Sequence, residues 1–139
     1  MLVRELKAED FERIDPQPEQ AHFMRVLNEA PELMDSLLLN GRAIEMDGEV
    51  LFVGGAIRVP GEDAAATWAV VSRSAHPFWR EITRMTMEFF DALPYERLLG
   101  SVAEDFAAGH RWMKTLGFEP YGEPAEIGGA RVTLYERVQ

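Results

Sequence analysis

A chain of 139 residues suits one domain, spanning 1–139, and leaves no room for two ordinary ones. Its 47% hydrophobic and 27% charged residues give a globular balance and exclude a disordered polymer. There is no cysteine, so disulfides, a thiolate nucleophile and a Cys-based zinc site are excluded, and a net charge of −10 leaves no basic face for nucleic acid.

Val3-Arg4-Glu5-Leu6 reads as a short first strand, followed by a turn at Lys7-Ala8-Glu9-Asp10. From Pro18 the apolar positions Phe23, Val26, Leu27 and Ala30 follow helical spacing as far as Pro31. Pro31 opens a second helix with Leu33, Met34, Leu37 and Leu38 on its buried face, closed near Asn40-Gly41. A strand over Arg42–Met46 is separated by Asp47-Gly48 from another over Val50–Val59, a hairpin signal. Gly54-Gly55 in that second strand predicts a bulge or a close backbone approach.

After a turn at Pro60–Asp63, Ala66–Val71 completes a three-stranded meander. Pro77–Leu93 is the clearest helix, with Phe78, Ile82, Met85, Phe89 and Leu93 on one face and Pro77 at the first position. Leu98–Val102 follows as a buried strand, then a helix over about 106–116 closed by Gly117. Ala130–Val138 alternates as a final strand, paired across Gly128-Gly129 with a weak one near Pro120–Ile127. The order β-α-α-β-β-β-α-β-α-β-β predicts a mixed α/β sheet with helices on its faces.

Charge is uneven along the chain. Residues 1–63 hold 6 Lys/Arg against 14 Asp/Glu, whereas residues 64–118 hold 6 of each. The neutral middle leaves room for a ligand with a few phosphates. No apolar run approaches the roughly 20 residues a bilayer demands, and Met1-Leu2-Val3-Arg4-Glu5 lacks the pattern of a signal peptide. The expectation is a cytoplasmic protein with no membrane partner.

The element order, with Leu116-Gly117-Phe118 closing the last helix before a terminal hairpin, resembles the GNAT superfamily of acyl-CoA N-acyltransferases. The likeness covers the whole layout and is strongest locally over Trp68–Phe118. Thr67–Ser72, Thr86-Met87-Glu88 and His110–Gly117 are similar to the small GNAT-like proteins of tailed phages and prophages, including internal virion proteins. The resemblance implies acetyl-CoA as the acyl donor and an amine, small-molecule or peptide, as acceptor. It also implies a splayed central sheet.

A site of that kind must hydrogen-bond an extended pantetheine arm, bind a pyrophosphate at a helix N-terminus and stabilise a developing oxyanion. Val70, Val71 and Ser72 fall where the arm would lie. The family's phosphate loop, Arg/Gln-x-x-Gly-x-Gly/Ala, is replaced by Ser72–Arg80 with no glycine, and Trp79 stands in the first turn of the helix. Arg73, His76, Arg80 and Arg84 are the candidate compensating groups, the alternative being surface arginines paired with Glu81 or Glu88.

Counting back from Leu116-Gly117-Phe118, the family's proton-donating tyrosine falls on Met113 and its asparagine on Phe106. His110 is the nearest titratable substitute. Glu104 is the candidate general base at the end of the strand after the main helix, with Asp105 expected to cap the next helix. Other chemistries lack their motifs. There is no Gly-x-Ser-x-Gly elbow and no Gly-x-x-x-x-Gly-Lys loop, and His22, His76 and His110 lack metal-ligand spacing.

Two main readings compete, with a further one beside them. One is direct transfer from acyl-CoA to an amine, resting mainly on positioning the reactants. The other is a GNAT-like fold kept for binding or a virion-associated role without catalysis. A third is a small homodimeric interaction module whose acidic first 63 residues face a basic partner.

Overall fold

The computed structural model describes residues 1–139. In chain order the elements are β1 (Leu2–Glu5), α1 (Asp10–Arg13), α2 (Ala21–Glu29), α3 (Leu33–Asn40), β2 (Arg42–Met46), β3 (Glu49–Arg58) and β4 (Ala64–Val71). Then come α4 (Trp79–Ala92), β5 (Arg97–Ala103), α5 (Ala107–Thr115), β6 (Glu119–Pro120), β7 (Ala125–Ile127) and β8 (Ala130–Val138). Short 3-10 helices at Pro18–Gln20 and Arg73–Phe78 lead into α2 and α4.

The strands form one mixed sheet in the order β1-β2-β3-β4-β5-β8-β6, with β7 also paired to β8. The β2–β3 hairpin turns at Asp47 and Gly48, whose φ values of 51° and 81° are those its tight turn demands. Every pairing is antiparallel except β4–β5.

That parallel pairing is short. Ala64, Ala65 and Ala66 face Arg97, Leu98 and Leu99, and there the ladder stops. Beyond it β4 runs on to Val71 and β5 to Ala103 with an open wedge between them. Two side chains account for the parting. Thr67 donates its hydroxyl to the Leu99 carbonyl at 2.7 Å, taking an acceptor at the apex. On α5, Met113 presses on Gly100 so closely that a Cβ there would lie 2.7 Å from its terminal methyl.

Successive strand residues point to opposite faces, so Val70 joins one core and Val71 another. The first core lies under α1–α3 and includes Leu6, Phe11, Leu27, Leu37, Val50 and Val53. On the opposite face α4 and α5 cover Phe52, Ile82, Leu98, Leu116, Phe118 and Tyr135. Gly54 and Gly55 serve close approach: a Cβ at Gly55 would meet the Trp68 indole nitrogen at 3.1 Å and Gly41 Cα at 3.2 Å. The β3–β4 register runs straight across them, and the irregularity lies at Ile44/Glu45 in β2.

Several expectations are corrected. Pro77 sits inside the 3-10 helix, which satisfies its predecessors by tighter bonding, and α4 begins at Trp79. The buried face of α4 centres on Ile82, Thr86 and Phe90, with Thr86 returning its hydroxyl to the Ile82 carbonyl at 2.8 Å. Met85 and Phe89 are only half-buried because they border the wedge. Asp105 does not cap α5, whose N-terminus has no side-chain cap. The turn expected at Lys7–Asp10 continues into the single helical turn α1.

Candidate active site

The wedge opens into a cleft of about 560 Å³ that passes between the two layers of helices. Its walls are the free edges of β4 and β5. His22, Phe23 and Val26 of α2 line it from one side, and Trp79, Phe89 and Trp112 from the other. Trp68 stacks between Phe11 and Phe23, at centroid distances of 5.8 and 5.7 Å, and forms an aromatic floor on the α2 side. Its indole N–H is buried without an acceptor. Met113 and Phe106 both line the cleft and bring no proton donor to it.

The free edge of β4 is already hydrogen-bonded within the chain. Gln20 donates its side-chain N–H to the Ala69 carbonyl at 2.8 Å and accepts from the Val71 N–H at 2.9 Å, which fixes the orientation of the amide. The Val71 carbonyl accepts from the Gln17 N–H at 3.2 Å. Val70 itself is fully buried, with its side chain in the core under α1–α3. Ser72 turns its N–H away from the cleft, to the Leu51 carbonyl at 2.9 Å, and its carbonyl takes the Gln17 side-chain N–H at 3.3 Å. The polarity of this edge suits an extended amide chain, since an amide occupies it now.

The following loop differs from a phosphate cradle. The Arg73 N–H donates to the Asp15 carbonyl, the Ser74 N–H to the Ser72 hydroxyl and the Ala75 N–H to the Ser72 carbonyl. All three groups therefore have partners inside the chain. Donor side chains remain around them: Arg73, His76 and Arg80 are exposed beside this helix end. Arg73 reaches the Pro16 carbonyl at 3.3 Å and Asp15 at 3.8 Å. Arg84 pairs with Glu88 at 2.9 Å and Glu81 at 3.7 Å. Trp79 turns inward, its ring 4.6 Å from that of Trp112, so it packs between α4 and α5 and does not cover the loop.

Glu104 and His110 come together just past β5, outside the cleft lining. His110 Nε2 donates to the Glu104 carbonyl at 3.1 Å, which leaves Nδ1 to accept from the Tyr135 hydroxyl at 2.7 Å. The Glu104 carboxylate pairs with Arg131 at 2.8 Å. Burial raises the pKa of the Tyr135 phenol and keeps it a donor.

Two groups in the cleft were not legible as site residues. Gln20 has partners 49 and 51 residues away, and no local pattern marks it. His22 figured only among the three histidines that lack metal-ligand spacing. Its Nδ1 bonds the Glu19 carbonyl at 3.1 Å and so carries the hydrogen, leaving Nε2 as the basic nitrogen. Burial lowers its pKa below the ordinary histidine value.

The whole chain is similar in structure to solved acetyltransferases. A probable acetyltransferase from Staphylococcus epidermidis matches over 99% of this chain and 98% of its own, with 14% identity and a TM-score of 0.74. A GCN5-related N-acetyltransferase from Kribbella flavida matches over 99% and 97%, with 16% identity and a TM-score of 0.66. A ribosomal-protein-alanine N-acetyltransferase from Brucella melitensis matches over the full length of both chains, with 14% identity and a TM-score of 0.64. The architecture is thus the GNAT fold, a mixed α/β sheet parted at its centre. No family model matches the chain, and no curated protein matches it in sequence.

Proposed function

We propose that this chain is an acyl-CoA-dependent N-acyltransferase of the GNAT type, acting on an amine by direct transfer. The observation that carries this reading is the wedge: β4–β5 pairing ends at Ala66 and Leu99 and a cleft opens through the sheet between them. A thioester in the wedge and an amine arriving over the Trp68 floor would meet near its apex. The amine nitrogen forms the new bond to the carbonyl carbon, the carbon–sulfur bond breaks, and the nitrogen loses a proton while the thiolate gains one. With no cysteine in the chain, a thioester on the protein is excluded. Positioning supplies most of the acceleration, because neither Met113 nor Phe106 can donate a proton.

In this reading Val70, Val71 and Ser72 form the segment along which the donor arm lies. Arg73, His76 and Arg80 flank its phosphates, with Arg84 held back by its two glutamates. Glu104 takes the amine's proton on its carboxylate through water, and His110, with both ring nitrogens bonded, holds the Glu104 backbone in place.

A second reading has specific support. The N–H groups of Arg73, Ser74 and Ala75 are committed within the chain. A GNAT-like fold kept for binding alone would show the same. The resemblance to phage and prophage proteins, and a virion-associated location, go with that alternative.

Calorimetric titration with acetyl-CoA, followed by an amine screen, separates the two. Micromolar binding with turnover of any amine establishes the transferase. Binding without turnover supports the second reading, and no binding at millimolar acetyl-CoA removes the first.

A further inference from the structure

Between Ile14 and α2 the chain does not simply cross to the next helix. It runs as a strap along the wedge side of β4, bonded at four points: Asp15 carbonyl to Arg73 N–H and Gln17 N–H to the Val71 carbonyl, which together bridge Pro16 to Ser72, then Gln17 side chain to the Ser72 carbonyl, and Gln20 to Ala69 and Val71. Pro16 and Pro18 limit its backbone freedom. The first three contacts lie at the outer end of the wedge. Only Gln20 reaches inward, where its side chain meets one carbonyl and one N–H that face the cleft.

From these contacts we infer that Gln20 is an internal stand-in for the donor's own amides and sets how tightly the donor arm binds. The inference rests on the acyl-CoA reading above. The primary amide of Gln20 turns its carbonyl and the N–H beside it toward one edge, whereas the N–H and C=O of a trans secondary amide point opposite ways, so two successive amides of an extended arm replace it. The N–H of one takes the Ala69 carbonyl and the carbonyl of the next takes the Val71 N–H, while Gln20 swings into solvent. The strap backbone stays in place, because its own bonds are to Val71, Ser72 and Arg73 by other atoms. Ligands that carry two successive secondary amides in an extended chain compete with Gln20, and ligands without them do not.

Titration of the full chain with acetyl-CoA, for the parent and for Gln20→Ala and Gln17→Ala, tests this. Removing the competing side chain is expected to tighten binding by about tenfold in Gln20→Ala, the factor that one modest hydrogen bond represents. Gln17→Ala, which loosens the strap without freeing Ala69 or Val71, is expected to stay within about twofold of the parent. Equal affinity in all three overturns the inference and leaves the acyl-CoA reading standing. Binding by none of them, with each variant folded by circular dichroism, removes both.

A second measurement needs no variant. In the nitrogen-15 spectrum of the parent, saturation with acetyl-CoA is expected to move the Gln20 side-chain amide pair to the solvent-exposed position and to shift the Val71 N–H. Saturation with the Gln20 pair unmoved overturns the inference whatever the variants do.

Discussion

Asp10 is fully buried and carries a charge, which a core tolerates only when that charge is answered. Arg4 answers it with two parallel bonds of 2.8 and 2.7 Å, and the Lys7 N–H adds a third at 2.8 Å. The Arg4 guanidinium, against the opposing effect of burial, holds the Asp10 carboxyl below the ordinary aspartate range. A carboxylate whose folded pKa is lowered contributes stability that is complete above its unfolded value and is lost as pH falls through the folded one. Asp10→Asn is therefore expected to lower stability by about 2–3 kcal/mol at pH 7. The gap from the parent should narrow only below about pH 4, where unfolded aspartate begins to protonate. Urea unfolding across pH checks this, and a gap that is constant from pH 7 to 3 contradicts it.

At the level of elements, the parting of β4 from β5 depends on how α5 leans on the sheet. Met113 is buried and its terminal methyl fills the space that a side chain at Gly100 would need. Met113→Ala is expected to cost about 2–4 kcal/mol through lost contacts and a cavity at the apex. Gly100→Ala is expected to cost about 1–2 kcal/mol by crowding that methyl. Because the two residues touch, the double variant should cost less than the sum of the singles, the new methyl partly filling the new space. Additivity in chemical denaturation would mean that Met113 does not shape the apex.

The elements themselves were largely legible beforehand, and the reason is range. Asp47-Gly48 specifies its hairpin from two adjacent residues, and the alternation of Ala130–Val138 carries its own pairing signal. Pro77 misled because proline suits the first turn of an α-helix and a 3-10 helix alike. The site was less legible. Its glycine-free loop could be read as a departure, but the committed N–H groups could not, since the Asp15 carbonyl that takes the Arg73 N–H lies far back in the chain. Trp79 looked like an obstacle because its direction depends on Trp112, on another helix.

For the molecule as a whole, a net charge of −10 sets up a field that favours cations in its surroundings. If the acceptor site shares that field, a dicationic amine should be used several-fold more efficiently than a neutral analogue of equal size at about 10 mM salt, where screening is weak. The advantage should fade by about 200 mM, as the screening length falls below 10 Å. Rates measured at saturating donor across that range test it, and equal use of both amines at low salt counts against steering. No helix is long and apolar enough to cross a membrane.

Seen from its strand order, the molecule is two antiparallel leaves meeting along a seam. Residues up to Val71 make one leaf and those from Arg97 the other, and three facing pairs at Ala64–Ala66 are all the ladder that joins them. The far end of the seam is clasped by α2 and the 3-10 turn that leads into it. Gln20 grips the first leaf, and Arg25 grips the second through two bonds to the Gly128 carbonyl, at 3.1 and 2.9 Å. Beyond that short ladder, two side chains only five residues apart in the sequence each hold one leaf, so a single short surface segment ties the two halves of the sheet together where their backbones no longer meet.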